Sequence, residues 1–583
     1  MENKNTIFTW KIGGEAGSGQ QSAGAIFSKI VARRGYYTFG YSEFPSIIRG
    51  GHVTYAVSLA SRPISAIYKT VNLLLALNDD TVKMHINELS DDGVLIFDSS
   101  SILEEDVRKA SGSLKHILYG LPIEELIEKN NLKKIVANII FVGASLGLLE
   151  FDIKAADEVI DQIFKRKGEE VQAMNRRAIE VGYRFAQDHF HPEKYVYDLK
   201  SHKTGDPKII ISSNQALALG AIASGCRLYV AYPMSPSSSI LHAMAGWAKK
   251  TGMLVHQPED EIAGVHVMLG AMHAGTRAMV GTSGGGFALM AEAVALSAMT
   301  ETPAVIAVCS RPGPATGLPT WTEQGDLKFI VNCAHGDFPR VVLAPGNPQE
   351  AFTFCSLAFN LAEKYQIPVF LLLDKYTSEG AFTMDFMDTE VKIERGKIVT
   401  EKELASMNEK YLRFKLVKDG VSPRALPGTA GGIHLANSDE HDEYGYAIEG
   451  WHEPMRVEQV DKRARKILGA IQELPEPQIY GPKKAKLTLL GWGSTRNPVL
   501  EALPHLKDVN YVHIPAVWPI VPSAIEKALK GVKKLVNIEN NYSGQFGHLL
   551  RAETGITPDK QLLKYDGRQF WPEEIVEKVK RLT

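Results

Sequence analysis

Cysteine is scarce in this sequence: four in 583 residues, at Cys226, Cys309, Cys333 and Cys355. None forms a CxxC pair and none combines with histidine at zinc-finger spacing. That leaves no ligand set for a structural zinc module or for an iron–sulfur cluster held by this chain alone. So few thiols fit a reducing compartment. A surplus of either charge is also missing: 65 Lys and Arg oppose 67 Asp and Glu, a formal net charge of −2. No field of one sign favours nucleic acid or a membrane surface as partner. The longest apolar run, residues 135–149, is too short to span a bilayer and contains Asn138. The opening MENKNTIFTWKIGG lacks the apolar core of a signal peptide. A soluble, cytoplasmic protein is expected. His256, His266 and His273 do not form HExxH, and no metal site is expected.

What is present is an ordinary globular composition, 44% hydrophobic and 23% charged, in a chain long enough for several domains. From Phe8 to Ile12 an apolar run leads into a glycine turn and a helical pattern, followed by strand-like HVTYAVSL, VNLLLAL and GVLIFD. Helical patterns over residues 133–149 and 155–190 close this region, which reads as a mainly parallel sheet covered by helices. Residues 189–207 read as a linker. From Ile209 a second region carries six short apolar runs: LYVAYP, MLVHQPE, RAMVGTS, AVIAVCS, RVVLAPG and VFLLLD. With helical patterns between them they predict a doubly wound α/β sheet. Residues 383–483 break that rhythm and read as irregular. A third, small α/β unit of about three strands follows KLTLLGWGS.

Several stretches carry candidate chemistry. GGEAGSGQQSAG is not a P-loop, because Gln20 stands where the lysine belongs. Its Gly17-x-Gly19-x-x-Ser22, with Glu43 downstream, reads either as a phosphate cradle or as a tight turn with close helix–sheet packing. Arg49, beside Gly50 and Gly51, reads as an anion contact or as part of a surface hairpin. In VAYPMSPSSS, Pro233 and Pro236 stiffen a loop at a strand's C-terminal edge, where open α/β sheets bind ligands. One of Ser237, Ser238 and Ser239 is expected to cap the next helix. Of the acids Glu259, Asp260 and Glu261, two suit the helix dipole, and Glu259, at the strand end, is free to face the same crevice. Arg311 emerges at the rim of the sheet, placed to grip a carboxylate. NSDEHDEYGY reads as a solvated loop rather than a metal site.

These residues resemble the α subunit of 2-oxoacid:ferredoxin oxidoreductases in the form with an N-terminally fused γ-type domain. YPMSPSS is similar to the family's YPITPSS, with Met234 and Ser235 as departures; EDEIAG, TSGGGF, SRPGPATGLPT and IENNYSGQ follow in family order, and the Gly13–Gly24 turn with SIIRGGH is similar to the γ-type domain. TSGGGF departs at Gly285, where the family commonly has proline. The resemblance implies three α/β domains. Residues 1–190 would be the γ-type domain, 205–382 a thiamine-diphosphate pyrimidine-type doubly wound domain, 383–483 an irregular linker and 484–583 a smaller transketolase-C-like domain.

It implies oxidative decarboxylation of a 2-oxoacid with coenzyme A, giving acyl-CoA, carbon dioxide and reduced ferredoxin. Thiamine diphosphate would be shared with a β subunit that brings Mg2+ and an iron–sulfur cluster, in an (αβ)2 heterotetramer. The absence of GDG with a following asparagine, and of a cysteine set, fits an α subunit. Glu259 matches the glutamate that faces N1′ of the aminopyrimidine, Arg311 the arginine that binds the 2-oxoacid carboxylate, and Ser235 the loop threonine near the substrate oxygens. Tyr232, Pro233, Pro236, Ser237, Ser283 and Gly284 complete the expected cofactor-binding set. The fused layout favours 2-oxoglutarate, with pyruvate and branched-chain 2-oxoacids as alternatives. An NAD-dependent oxidoreductase built on the Gly17 loop is the alternative of another class.

Overall fold

The computed structural model describes residues 7–47, 50–112, 116–191, 206 and 208–582. The chain divides into two compact units. One comprises Met1–Ile211, Gly380–Met387 and Trp571–Glu577; the other comprises Ser212–Glu379, Asp388–Phe570 and Lys578–Thr583.

The first unit is built on an eight-stranded sheet in the order Ile117–Leu121, Leu89–Asp98, Val71–Ala76, Phe8–Glu15, His52–Ala60, Tyr37–Glu43, Ala381–Met384, Ile209–Ile211. Only the first four strands run parallel; every later pairing is antiparallel. The sheet is therefore mixed, where the sequence suggested a mainly parallel one. Tyr37–Glu43 and His52–Ala60 are separated by a loop too short for a crossover helix, so they pair antiparallel. Ile209–Ile211, expected to open the second region, belongs to this sheet and pairs with Ala381–Met384, the strand that the expected 382/383 division cuts. Phe39 meets Phe382 edge-on at 4.8 Å, and the Thr38 and Thr383 hydroxyls hydrogen-bond at 2.6 Å.

The pattern over residues 155–190 breaks at Gly168, φ 92°, into helices Lys154–Phe164 and Glu169–His189. Glu169–His189 lies in backbone contact with Ala137–Leu148: a Cβ on Gly143 would run into the Ile179 carbonyl, and one on Gly182 into the Ile140 carbonyl. Trp10 stacks on Phe27 at 4.6 Å and donates its indole N–H to Ser145 Oγ.

The second unit holds two sheets. All six expected runs of the doubly wound region form parallel strands, in the order Val341–Leu343, Pro368–Asp374, Ala304–Ser310, Ala278–Thr282, Leu228–Val230, Leu254–His256. Ala516–Trp518 adds an antiparallel edge beside Val341–Leu343. The central strands Ala304–Ser310 and Pro368–Asp374 are buried throughout, hence their apolar sequence up to the polar residues Ser310 and Asp374 at their C-terminal ends. The second sheet has five strands, in the order Gln478–Tyr480, Val509–Ile514, Leu487–Trp492, Leu535–Glu539, Lys560–Leu563. One core joins the two sheets, with Val280, Ile306 and Phe370 in the same cluster as Leu490, Trp492, Ile514 and Phe546.

The reading of residues 383–483 as irregular gives way to an 18-residue helix, Glu453–Ala470. Its buried positions include Lys462 and Lys466, whose ammonium groups both lie 2.6 Å from the carboxylate of buried Glu301. Arg413, also buried, donates to the Glu301 carbonyl. These cations hold the Glu301 carboxyl far below its usual range against the penalty of burial, while burial pushes Lys466 down to about 7. Glu440 of NSDEHDEYGY is paired with Arg456 and, at 2.7 Å, with Arg463.

Candidate active site

The candidate residues stand at the C-terminal edge of the parallel sheet. Leu228–Val230 leads into exposed Tyr232, Pro233 and Ser235, then buried Pro236 and Ser237. Asn214, from the helix Ser213–Ala223, donates to the Pro236 carbonyl at 3.0 Å and to Ser239 Oγ at 2.7 Å, which pins the loop from below. Ser237 Oγ donates to the Met234 carbonyl at 2.7 Å. That hydroxyl shapes the loop and does not cap the helix Ser238–Thr251, where Ser237 is the N-cap without a side-chain hydrogen bond.

Arg311 follows Ala304–Ser310, and its Nη1 donates to the Ser235 carbonyl at 2.9 Å. Residues far apart in sequence thus meet at the rim expected for them. Half-buried Arg311 is pulled below the usual guanidinium range by desolvation, with the Asp326 charge opposing.

The three neighbouring acids have three different environments. Asp260 caps the helix Glu261–His273, accepting from Ala263 N at 2.8 Å. Glu261 is buried, its Oε1 has no hydrogen-bond partner among the described residues, and burial raises its carboxyl. A Cβ on Gly286 would strike that carboxyl, so Glu261 is packed under the TSGGGF turn instead of lying solvated over the helix end. Glu259 is exposed and makes no hydrogen bond or ion pair among the described residues, with Ser235 and Arg311 included. In the turn itself, Ser283 Oγ is buried without a hydrogen-bond partner among the described residues and Gly284 is half-buried.

Two acids escaped the sequence reading. Burial and the neighbouring Asp326 push the Glu323 carboxyl up to about 7. Burial raises Asp326 too, against the Ser310 hydroxyl and the Arg311 charge. Their only signal is the run TEQGD, which begins 11 residues beyond Arg311 and carries no spacing rule.

In the first unit, the glycine turn has Gly17 at φ 97° and Gly19 at φ 83°, conformations that favour glycine. The Gln20 amide closes it on the Glu15 carbonyl at 2.9 Å, and Asn138 donates to the Gly19 carbonyl at 2.8 Å. Arg49 lies outside the described residues. No helix among the described residues is long and apolar enough to cross a membrane, and no described group of three or more His, Cys, Asp or Glu could hold a metal ion.

The family model "Pyruvate flavodoxin/ferredoxin oxidoreductase, thiamine diP-bdg" matches residues 219–462, and "Pyruvate ferredoxin/flavodoxin oxidoreductase" matches residues 9–185. The 2-oxoacid:ferredoxin oxidoreductase subunit alpha of Saccharolobus solfataricus is 31% identical over 99% of this chain and 98% of its own length. The 2-oxoglutarate synthase subunit KorA of Methanothermobacter thermautotrophicus is 32% identical over 64% of this chain and 98% of its own. A solved 2-oxoglutarate:ferredoxin oxidoreductase from Magnetococcus marinus, with 2-oxoglutarate, coenzyme A and succinyl-CoA bound, superposes with TM-score 0.89 at 29% identity, covering 99% of both chains.

Proposed function

Since the chain belongs to the 2-oxoacid:ferredoxin oxidoreductases and aligns along nearly its whole length with their α subunits, we propose that it forms the aminopyrimidine side of a thiamine diphosphate site completed by a β subunit. The observation that carries this reading is the Arg311–Ser235 hydrogen bond at the C-terminal edge of a parallel sheet, next to a turn whose buried Ser283 hydroxyl has no partner among the described residues. That donor set fits the group. Tyr232, Pro233, Ser235, Pro236, Ser283 and Gly284 would line it, Ser237 would hold the loop in shape, and Glu259 would carry a proton at the pyrimidine N1′. When bound, thiamine diphosphate supplies the carbanion-stabilising chemistry of decarboxylation. The exposure of Glu259 suits half a site that a second subunit covers and dries. Exposed apolar Leu254, Ile262, Val267 and Leu289, on elements bearing or flanking the site, support such a cover.

In this reading the Arg311 guanidinium binds the 2-oxoacid carboxylate with its planar fork, while its bond to the Ser235 carbonyl fixes its approach. The best-supported substrate is 2-oxoglutarate, by the relatives that act on it or hold it, with pyruvate or a branched-chain 2-oxoacid next. Coenzyme A is the acyl acceptor and ferredoxin the electron acceptor. The Gly17–Gly19 turn is offered as a phosphate contact for coenzyme A. The β subunit would bring Mg2+ and an iron–sulfur cluster, in an (αβ)2 assembly in the cytoplasm. We keep the division at 1–190, 205–382, 383–483 and 484–583 as functional regions, with 383–483 serving the pyrimidine-type domain it packs on.

Assay of the co-purified complex against a 2-oxoacid panel, with a low-potential acceptor, tests this reading. The purified chain alone is expected to be inactive and to bind thiamine diphosphate poorly. Robust turnover without a second subunit would overturn the two-subunit site. Arg311→Lys in the complex keeps the charge but loses the fork. A loss of about 1.5–3 kcal/mol, tenfold to roughly a hundredfold in kcat/KM, is expected. Unchanged kinetics would remove Arg311 from the substrate.

A further inference from the structure

The segment IENNYSGQ, residues 538–545, ends the strand Leu535–Glu539 and runs into the helix Gln545–Thr554. It is built around a buried carboxylate. Glu539 accepts from Asn537 Nδ2 and Asn541 Nδ2 at 2.7 Å, and from the Phe546 and Gly547 N–H groups at 3.0 Å. So braced, the segment grips the loop that leads into the helix Leu327–Asn332. The Gln324 N–H donates to the Asn540 carbonyl at 2.7 Å, Gln324 Oε1 accepts from Asn540 N at 2.9 Å, and Asn541 Nδ2 donates to the Gln324 carbonyl at 3.1 Å. Gln545 takes the residues that follow. Its Nε2 donates to the Gly325 carbonyl at 2.6 Å, and its Oε1 accepts from Lys328 N at 2.8 Å. A side-chain amide donates and accepts from one planar group, so Gln545 holds the backbone on both sides of Asp326.

Asp326 in turn packs on the TSGGGF turn. It stands at the N-cap of Leu327–Asn332 but makes no capping hydrogen bond. A Cβ on Gly284 would lie 2.4 Å and 2.5 Å from its two carboxylate oxygens, so the carboxylate fills the place of the missing side chain. From the other flank, a Cβ on Gly286 would lie 2.4 Å from Glu261 Oε1. Three successive glycines, Gly284 to Gly286, give a turn more backbone freedom than other residues would. Two carboxyl groups wedged at the first and third of them restrict it.

We propose that Gln545 is a positioning residue for the cofactor: by gripping the Gly325 carbonyl and Lys328 N it seats the Asp326 carboxylate against Gly284, and so fixes the glycine turn that presents Ser283. This rests on the reading of that turn as part of the thiamine diphosphate site. The turn is then ordered before the cofactor arrives, and less conformational freedom is lost on binding. Gln545 touches neither cofactor nor substrate in this arrangement. It acts through two intermediaries, the loop it clasps and the carboxylate that loop carries.

The test uses the assembled complex with its β subunit, stripped of cofactor. Calorimetry gives the dissociation constant of thiamine diphosphate with Mg2+, and mass spectrometry follows amide hydrogen–deuterium exchange over residues 283–287. Gln545→Met keeps the length of the side chain and loses both hydrogen bonds. It is expected to weaken thiamine diphosphate about tenfold, the scale of one hydrogen bond, and to speed exchange in the turn. At saturating cofactor kcat is expected to change by less than about threefold. Glu301→Gln, which unpairs buried Lys462 and Lys466 away from the site, is the control for lost stability alone and is expected to leave both quantities at their wild-type values. Gly284→Ala expels the same carboxylate from the other side, so Gln545→Met is expected to add little to it. Wild-type exchange in Gln545→Met, equal changes in Glu301→Gln, or effects of Gln545→Met and Gly284→Ala that multiply overturn the proposal alone. Faster exchange beside an unchanged dissociation constant overturns the reading of the turn as cofactor-lining, and this inference with it. If Gln545→Met does not assemble, Gln545→Glu, which keeps the acceptor for Lys328 N and loses the donor to Gly325, decides it by the same comparison.

Discussion

Glu259→Gln in the assembled complex is expected to cut turnover by about 10²-fold or more while leaving folding and cofactor binding nearly intact. Glutamine keeps the shape and a hydrogen bond but cannot exchange a proton with a ring nitrogen. Nothing among the described residues competes for that carboxylate: Glu259 is exposed and unpaired there, whereas its neighbour Asp260 is committed to Ala263 N. Asp260→Asn therefore serves as the control, with a cost of up to about 1 kcal/mol in stability and little in rate. Glu261 cannot play that part, because it is buried beneath Gly286. The direct measurement is hydrogen–deuterium exchange at C2 of the bound cofactor, followed by NMR after acid quench. Normal exchange in Glu259→Gln would sink the assignment, and so would an equal loss in Asp260→Asn.

Glu301→Gln is expected to cost about 3–5 kcal/mol of stability, the largest effect for any single substitution away from the site. The change leaves Lys462, Lys466 and Arg413 buried with their counter-charge gone. The sign in pH follows from the depressed Glu301 carboxyl: its stabilisation is present above its unfolded value of 4.5 and is lost as acid carries the protein below it. Urea unfolding reads the loss as a lower midpoint at unchanged slope. The exposed pair Lys527–Glu476, 2.8 Å apart, is the comparison, and Glu476→Gln is expected to cost less than about 1 kcal/mol. A Glu301→Gln loss as small as that would mean the lysines shed their protons and the cluster is not a charged one.

The doubly wound sheet was legible because its central strands are wrapped on both faces, and residues 304–309 of the strand Ala304–Ser310 are therefore all apolar. The loops at its carboxyl ends were legible for the same geometrical reason: Arg311 and Ser235 each follow such a run, and the sheet brings them within a hydrogen bond. Tyr37–Glu43 was missed because Gly40 and its polar neighbours dilute the alternation of a half-covered strand. Ile209–Ile211 was seen but given to the wrong sheet, since a three-residue apolar run carries no record of its partner. Glu453–Ala470 is dense in charge and reads as part of an irregular region; its cations are buried only because Glu301, 161 residues before Lys462, waits for them. Asp326 stayed hidden because what packs against its carboxylate is a residue that has no side chain, Gly284.

The eight-stranded sheet also bears on how the chain emerges from the ribosome. Tyr37–Glu43 has one neighbour in His52–Ala60, made soon after it, and the other in Ala381–Met384. At about 5–20 residues per second, synthesis takes roughly 15–65 s to travel from Ala60 to Met384. Throughout that interval the edge on which Phe39 and Gly40 meet Phe382 and Ala381 stays uncovered, and an open strand edge is a template for pairing with another chain. Neighbouring ribosomes on one message carry several such nascent edges close together. The strand least visible in the sequence is thus the one most exposed to its own copies during translation, and capture by a chaperone along Tyr37–Glu43 would shield it until the strand that covers it arrives.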